Sequence, residues 1–305
     1  MRHIPVLLKE VIESLNLKAN KNIIDGTLGD AGHAEAILEK IAPQGMVLGI
    51  DADAEAVLNA KRNLYRFEDR AVFVRDNFKN IKKIVKENNF SPVDGILLDL
   101  GWSTPQFMER GRGFSFELDE PLDMRYDINV MEENKITAKE IVNKYLPDEL
   151  GEIFRKLGEE GLYKEIAETI VQKRKEKEIV NTFELVEIIL AVYRKKLGTD
   201  KEIPWVGGIH PATKVFQALR IEVNNELQVL KETLPEAVEM LSSGGRLAVI
   251  SFHSLEDRIV KHYFQSLPVA QFTTITKKPL IAREDELKNN PRARSAKLRV
   301  IQKNF

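Results

Sequence analysis

The sequence predicts an α/β protein whose mainly parallel sheet is interrupted by a helical insertion and closed by two late strands. Three observations predict it. Short apolar runs alternate with helix-period segments through the first hundred residues. That rhythm stops after Asp99, and helical periodicity takes over. Strand character then returns at Arg246. Strands alternating with helices build βαβ units around a parallel sheet.

The elements follow in order. Asn22–Asp25 reads as a first strand and Gly26–Gly32 as a glycine-rich turn. Ala34, Ile37, Leu38 and Ile41 have helical spacing. Met46–Ile50 is a second strand ending at Asp51, and Ala54–Leu64 a second helix. Ala71–Val74 is a third strand, Ile81–Glu87 a short helix, and Gly95–Leu98 a fourth strand ending at Asp99. Trp102–Asn129, rich in Gly, Pro and charge, reads as an extended loop. From Thr137 to Leu197 helices dominate, with packing faces at Leu162, Ile166 and Ile170 and at Leu185, Ile189 and Tyr193. A helix begins near Pro211, Arg246–Ile250 is a fifth strand, and Leu255–Phe264 is a helix. Gln271–Thr276 and Lys297–Gln302 close the chain as strands. The simplest organisation is a discontinuous domain of residues 1–112 and 206–305, split by a mainly helical domain of residues 113–205.

Composition narrows the function classes. The 305 residues are 43% hydrophobic and 30% charged, which supports a real core and excludes a disordered chain. With no cysteine, disulfides, thiolate zinc sites and cysteine nucleophiles are excluded. The five histidines are scattered without ligand spacing, so no metal site is expected. No apolar run reaches the roughly 18 residues of a membrane span. The N-terminus lacks the apolar stretch of a signal peptide, and a cytoplasmic location is expected. A net charge of −1, from 46 basic and 47 acidic side chains, does not by itself predict a polyanion partner.

The segment from Asp25 to His33 carries the clearest chemistry, because glycines there let backbone approach a ligand between a strand and a helix N-terminus. Asp51, at the next strand end, can accept both ribose hydroxyls of an adenosine. The glycines fall at 26, 29 and 32 rather than in the G-x-G-x-x-G spacing of nicotinamide and flavin enzymes. This Asp-Gly-x-x-Gly-x-x-Gly loop resembles the S-adenosylmethionine (AdoMet) loop of Rossmann-like class I methyltransferases, and the two terminal strands suit the antiparallel hairpin of that sheet. Phe78, after the third strand, can pack on an adenine, and Asp99 ends the fourth strand beside the expected position of the methyl group. The residues after it, Leu-Gly-Trp102, are not the Asp/Asn/Ser-Pro-Pro-Tyr/Phe motif of many amino-methylating enzymes, so that motif assigns no acceptor.

Longer strings are similar to one family, the MraW/RsmH ribosomal RNA methyltransferases. They are His3–Glu10, Asp99–Gln106, Arg112–Phe116, Pro121–Arg125, His210–Glu226, Ser251–Arg258 and Asn290–Arg299, in the family's order. The resemblance implies methylation of the exocyclic N4 of a cytidine in the decoding region of 16S ribosomal RNA. It implies AdoMet as cofactor, S-adenosyl-L-homocysteine as product, and contacts at Ala31, Gly32, His33, Asp51, Phe78, Asp99 and Gln106. His33 and Gln106 rest on the resemblance alone. Ala31 departs from a more glycine- or arginine-rich loop but is small enough for close approach.

An acceptor amine delocalised into a ring is a poor nucleophile, and Asp99 is the first candidate to orient it by accepting its N–H. A base drawn from its stack needs a flat surface, for which Trp102 is the candidate; Phe252 and His253 should face the same cleft. Candidate phosphate contacts are Arg110, Arg112, Lys214, Arg220, Arg292, Arg294, Lys297 and Arg299. The last four fall within eight residues that contain no acid. Glu222 and Asn225 sit in the densest motif and are expected to bind or orient something. The helical insertion leaves the sheet at the carboxyl end of a strand, where α/β sheets bind ligands, so a lid or an RNA-docking domain over the cleft is expected. The partner implied is small-subunit ribosomal RNA or the small subunit itself, with no membrane and with monomer and homodimer both open. Methylation of another nucleic acid or a protein, and a non-catalytic RNA-binding assembly factor, are the competing readings; intact glycines, Asp51 and Asp99 weigh against the last.

Overall fold

The computed structural model describes residues 4–100, 111–126, 136–203 and 205–305. The chain divides into two compact units, Met1–Ser103 with Leu227–Phe305, and Thr104–Glu226.

The first unit is built on a seven-stranded sheet. In chain order its strands are β1 (Ile23–Asp25), β2 (Val47–Asp51), β3 (Ala71–Arg75), β4 (Val93–Asp99), β5 (Leu241–Ser251), β6 (Phe272–Thr274) and β7 (Lys297–Lys303). Their order across the sheet is β3-β2-β1-β4-β5-β7-β6. Strands β1 to β5 run parallel, and β7 lies antiparallel between β5 and β6. This is the predicted Rossmann-like sheet with its terminal hairpin. Strand order reverses between β1 and β4, the crevice where open α/β sheets place ligands.

Side-chain alternation fills both faces, as expected when a parallel sheet is covered on each side. Ile23, Leu97, Ala248 and Ile250 face one apolar cluster, with α1 (Leu8–Ser14) and α2 (Gly32–Lys40). Ile24, Ile96, Leu98, Leu247 and Val249 face the other. That cluster is covered by α4 (Ile81–Glu87), which follows α3 (Ala54–Asn63) in the chain, and by two later helices, 226–240 and 254–266. The helix over 8–14 and that over 226–240 were not legible in the sequence. The first is only seven residues long, and the second contains Pro235, a residue that argues against a helix interior.

The second unit contains α5 (Ala138–Lys144), α6 (Pro147–Gly158), α7 (Tyr163–Lys173), α8 (Thr182–Leu197) and α9 (Thr213–Asn224). Its helix ends carry sequence-level signals. Thr137 with Glu140, and Asn181 with Glu184, form capping boxes, and Gly198 closes α8 in the left-handed region. The expected packing faces are present: Ile166, Ile170, Leu185 and Ile189 have no exposed surface. The sequence reading ended this domain at residue 205, whereas α9 belongs to the helical unit. Gly158 sits so tightly under α9 that a Cβ there would lie 2.5 Å from the Lys214 carbonyl oxygen. Gln217 Nε2 also donates to the Leu157 carbonyl at 2.9 Å. The remaining helices, α10 (Glu226–Met240), α11 (Ser254–Ser266) and α12 (Glu284–Asn289), complete the chain.

Candidate active site

Three aspartates end adjacent parallel strands: Asp25 on β1, Asp51 on β2 and Asp99 on β4. Their alignment follows from register, which pairs Asp25 with Gly49 on one side and Leu97 on the other. The glycine loop folds across them. Asp51 Oδ2 accepts the Gly29 N–H at 2.8 Å, and its Oδ1 accepts the Asp53 N–H at 2.9 Å. Gly29 has φ of 49°, the conformation for which glycine carries no steric penalty. A Cβ on Gly32 would meet Pro5 Cγ at 2.4 Å, so the start of α2 requires glycine for close approach. Ala31, between them, is buried and left-handed at φ 63°, a strained position for a residue with a Cβ.

Thr27 joins two of the acids. Its N–H donates to Asp25 Oδ1 at 3.2 Å, and its hydroxyl oxygen accepts the Asp99 N–H at 2.7 Å. Asp25 is 1% exposed, and burial pushes its carboxyl up to about 7 despite the Thr27 hydrogen bond. Burial first, then the charges of Asp25 and Glu256, push Asp99 up to about 8. The Asp99 side chain retains 17% exposure, but its Oδ1 is sealed from solvent and, like Asp25 Oδ2, has no hydrogen-bond partner among the described residues. On its other side, Asp99 Oδ2 lies 3.7 Å from His33 Nδ1. The opposite ring nitrogen, Nε2, is 3.0 Å from the Val6 carbonyl oxygen. A carbonyl only accepts, so Nε2 carries a proton and Nδ1 faces Asp99.

Mutually repelling, partly sealed carboxyls are stabilised by a cation placed among them. A sulfonium and an ammonium group, the two cations of AdoMet, match that requirement, and the residues present therefore fit this cofactor. Phe78 follows β3 half-buried, and Asp76 Oδ1 in front of it is occupied by the Asn77 N–H and Asn80 Nδ2. Five expected contact positions, Ala31, Gly32, His33, Asp51 and Asp99, thus meet around one loop, with Phe78 at the next strand end. Gln106, Trp102 and Arg110 lie outside the described residues. Sequence reasoning missed Asp25 and Thr27 as members of the site. The signal was present: Asp25 ends β1 as Asp51 ends β2 and Asp99 ends β4.

At the end of β5, His253 serves as the N-cap of α11. Its Nδ1 accepts the Glu256 N–H, while Glu256 Oε2 accepts the N–H groups of Phe252 at 2.8 Å and His253 at 3.3 Å.

Several expected phosphate contacts are instead engaged within the fold. Arg299 is 8% exposed and grips Asp257 through Nε at 2.6 Å and Nη2 at 3.2 Å. Arg220 makes a bidentate pair with Glu226, which also accepts the Tyr126 hydroxyl at 2.8 Å. Lys214 Nζ donates to the Glu159 carbonyl just past α6, and Arg112 donates to the carbonyls of Arg125 and Tyr126. The reason is common to all four: each sits where an orphan carboxylate or carbonyl needs a long donor. Asn225 likewise ends α9 in the left-handed region, at φ 51°. Glu222 is half-buried, and burial raises its carboxyl. Arg292 and Arg294 have no acidic partner among the described residues, and Lys297 Nζ lies 3.5 Å from Asp257 Oδ2.

Residues 1–304 match the family model described as the MraW methylase family. The chain belongs to the MraW methylase family. Curated relatives agree along the full length. Ribosomal RNA small subunit methyltransferase H of Clostridioides difficile (strain 630) is 42% identical over 317 residues, covering 99% of this chain and 98% of the relative. The protein of that name in Acetivibrio thermocellus is 44% identical over 320 residues, covering 99% of both chains. That of Heliobacterium mobile is 43% identical over 318 residues, covering 99% and 98%.

Proposed function

We propose that this MraW-family chain transfers a methyl group from AdoMet to small-subunit ribosomal RNA, at the exocyclic N4 of a cytidine in its decoding region, as a cytoplasmic enzyme acting on the ribosome. The observation that carries the reading is full-length kinship to proteins named ribosomal RNA small subunit methyltransferase H, joined to an intact acidic crevice at the strand-order switch. No helix among the described residues is long and apolar enough to cross a membrane.

AdoMet supplies an electrophilic methyl on a sulfonium; everything else falls to the chain. The loop from Gly26 to Gly32 gives backbone access, and Asp51, anchored to Gly29 at the end of β2, is placed to meet ribose hydroxyls. Phe78 offers a ring face to the adenine. Asp99 ionises when a cation enters the crevice, because the new charge lowers a carboxyl that burial had raised. The part of that carboxylate that remains exposed then accepts a hydrogen bond from the acceptor N–H, which localises the nitrogen lone pair and aligns it for in-line displacement. His33, fixed by Val6, places its Nδ1 3.7 Å from Asp99 Oδ2, and the departing proton leaves to water.

The test is methyl transfer from labelled AdoMet to unmodified small subunits and to naked ribosomal RNA, followed by nucleoside mass spectrometry. N4-methylated cytidine at one position supports the assignment. AdoMet binding with no incorporation into either substrate overturns it.

A further inference from the structure

Beyond the cofactor crevice, the same unit carries a second cavity that the mechanism does not use. It has a volume of about 320 Å³ and lies where the carboxyl end of β5 meets the start of β7. Phe252, Ile281 and Leu287 give it an apolar lining, and Ser295, Arg294 and Lys297 supply polar groups. That volume falls at the lower end of the roughly 300–1,000 Å³ typical of small-ligand sites, and the mix of flat apolar surface with a few polar groups is also typical.

Register fixes its place relative to Asp99. Asp99 pairs with Ile250 on β5, and the next residue, Ser251, pairs with Lys297 on β7. The cavity therefore lies about two strand spacings, roughly 10 Å, from the acceptor carboxylate, on the side away from the AdoMet loop. Its electrostatics are unsettled in one direction. Arg299 already holds Asp257 at 2.6 Å, so Lys297, at 3.5 Å, shares an acid that is largely satisfied. Arg294 is exposed and without an acidic partner among the described residues. The half-buried Arg292, two residues earlier, has its guanidinium lowered by burial. An anion would complete this corner, and a ring would fill its lining.

We infer that this cavity is a subsite for a nucleotide next to the methylated one, its base against Phe252, Ile281 and Leu287 and its phosphate on Arg294 and Lys297. The inference rests on the RNA reading above and extends it. Holding the neighbouring base out of its stack would let the target nucleotide turn toward Asp99 without a steric clash in the strand.

The test measures binding of the full chain with S-adenosyl-L-homocysteine to a single-stranded RNA oligonucleotide of the decoding region, and methyl transfer separately with AdoMet and unmodified small subunits. An abasic sugar is placed in turn at each position flanking the target cytidine. Ala282→Trp fills the cavity, and the surface change Arg294→Ala removes a phosphate contact without touching the core. Base–aromatic stacking commonly contributes about 1–3 kcal/mol, so Ala282→Trp should weaken binding of the intact oligonucleotide about tenfold. One abasic position should weaken wild type equally yet leave Ala282→Trp unchanged. Arg294→Ala should lower the salt slope by about 0.7. Unchanged affinity, salt slope and methyl transfer in Arg294→Ala, with no abasic position distinguishing wild type, would overturn the subsite. If wild type methylates the subunit while these changes have no effect, only the subsite fails. If binding responds as described but nothing is methylated, the subsite stands and the functional reading fails.

Discussion

His33 Nδ1 lies 3.7 Å from Asp99 Oδ2 while His33 Nε2 is committed to the Val6 carbonyl oxygen. Burial has raised the Asp99 carboxyl of this pair to about 8. The ionised Asp99 is the stronger acceptor for an amine N–H, so methyl transfer at limiting AdoMet should rise with pH toward about 8. Asp99→Asn should cut turnover by about a hundredfold or more and flatten that rise. Unchanged turnover with unchanged AdoMet affinity would remove Asp99 from the chemistry.

Burial of Asp25 and Asp99 also makes stability depend on pH. Both carboxyls bind a proton more tightly folded, at about 7 and about 8, than unfolded, near 3.8. Their contribution is full below about pH 4 and falls as pH rises to about 8, because the folded state binds more protons across that window. The cofactor-free protein should show this downward component between pH 5 and 8 in thermal melts. Asp25→Asn should flatten it, and AdoMet should raise the melting temperature most at the alkaline end.

The left-handed Ala31 stores strain at the mouth of the loop. Relieving it is worth about 1–2 kcal/mol, offset by about 0.4–1 kcal/mol of added freedom in the unfolded chain. Ala31→Gly should thus be neutral to stabilising by about 1 kcal/mol in urea unfolding. Gly32→Ala should destabilise by about 1–3 kcal/mol, since its Cβ would press on Pro5, and it should weaken AdoMet binding in calorimetry.

Arg220 and Glu226 form a nearly buried pair, with 12% and 13% of their side chains exposed. Removing one partner leaves the other desolvated, so Arg220→Ala should cost about 3 kcal/mol in unfolding experiments. Arg294→Ala should leave the melting temperature within a degree or so, as surface substitutions usually do. The opposite pattern would reverse the assignment of these two arginines.

The order of the strands and, apart from α1, α10 and α12, of the helices, the strand-terminal acids and the glycine loop were determined by the sequence, because each is a local matter of periodicity and backbone permission. Ile81–Glu87 and the start of β7 at Lys297 coincide with their observed limits for that reason. The capping boxes at Thr137 and Asn181 were equally local, since both partners lie within one helical turn. What only the tertiary structure decided was which charges are occupied. A run of basic residues reads alike whether its side chains face water or a distant carboxylate. Arg299 meets Asp257 from 42 residues away, and Arg112 caps carbonyls of its own loop. The charge state of Asp99 was likewise outside the reach of the sequence, because it depends on burial and on Asp25 and Glu256, which the fold brings in from 74 residues before and 157 after it in the chain.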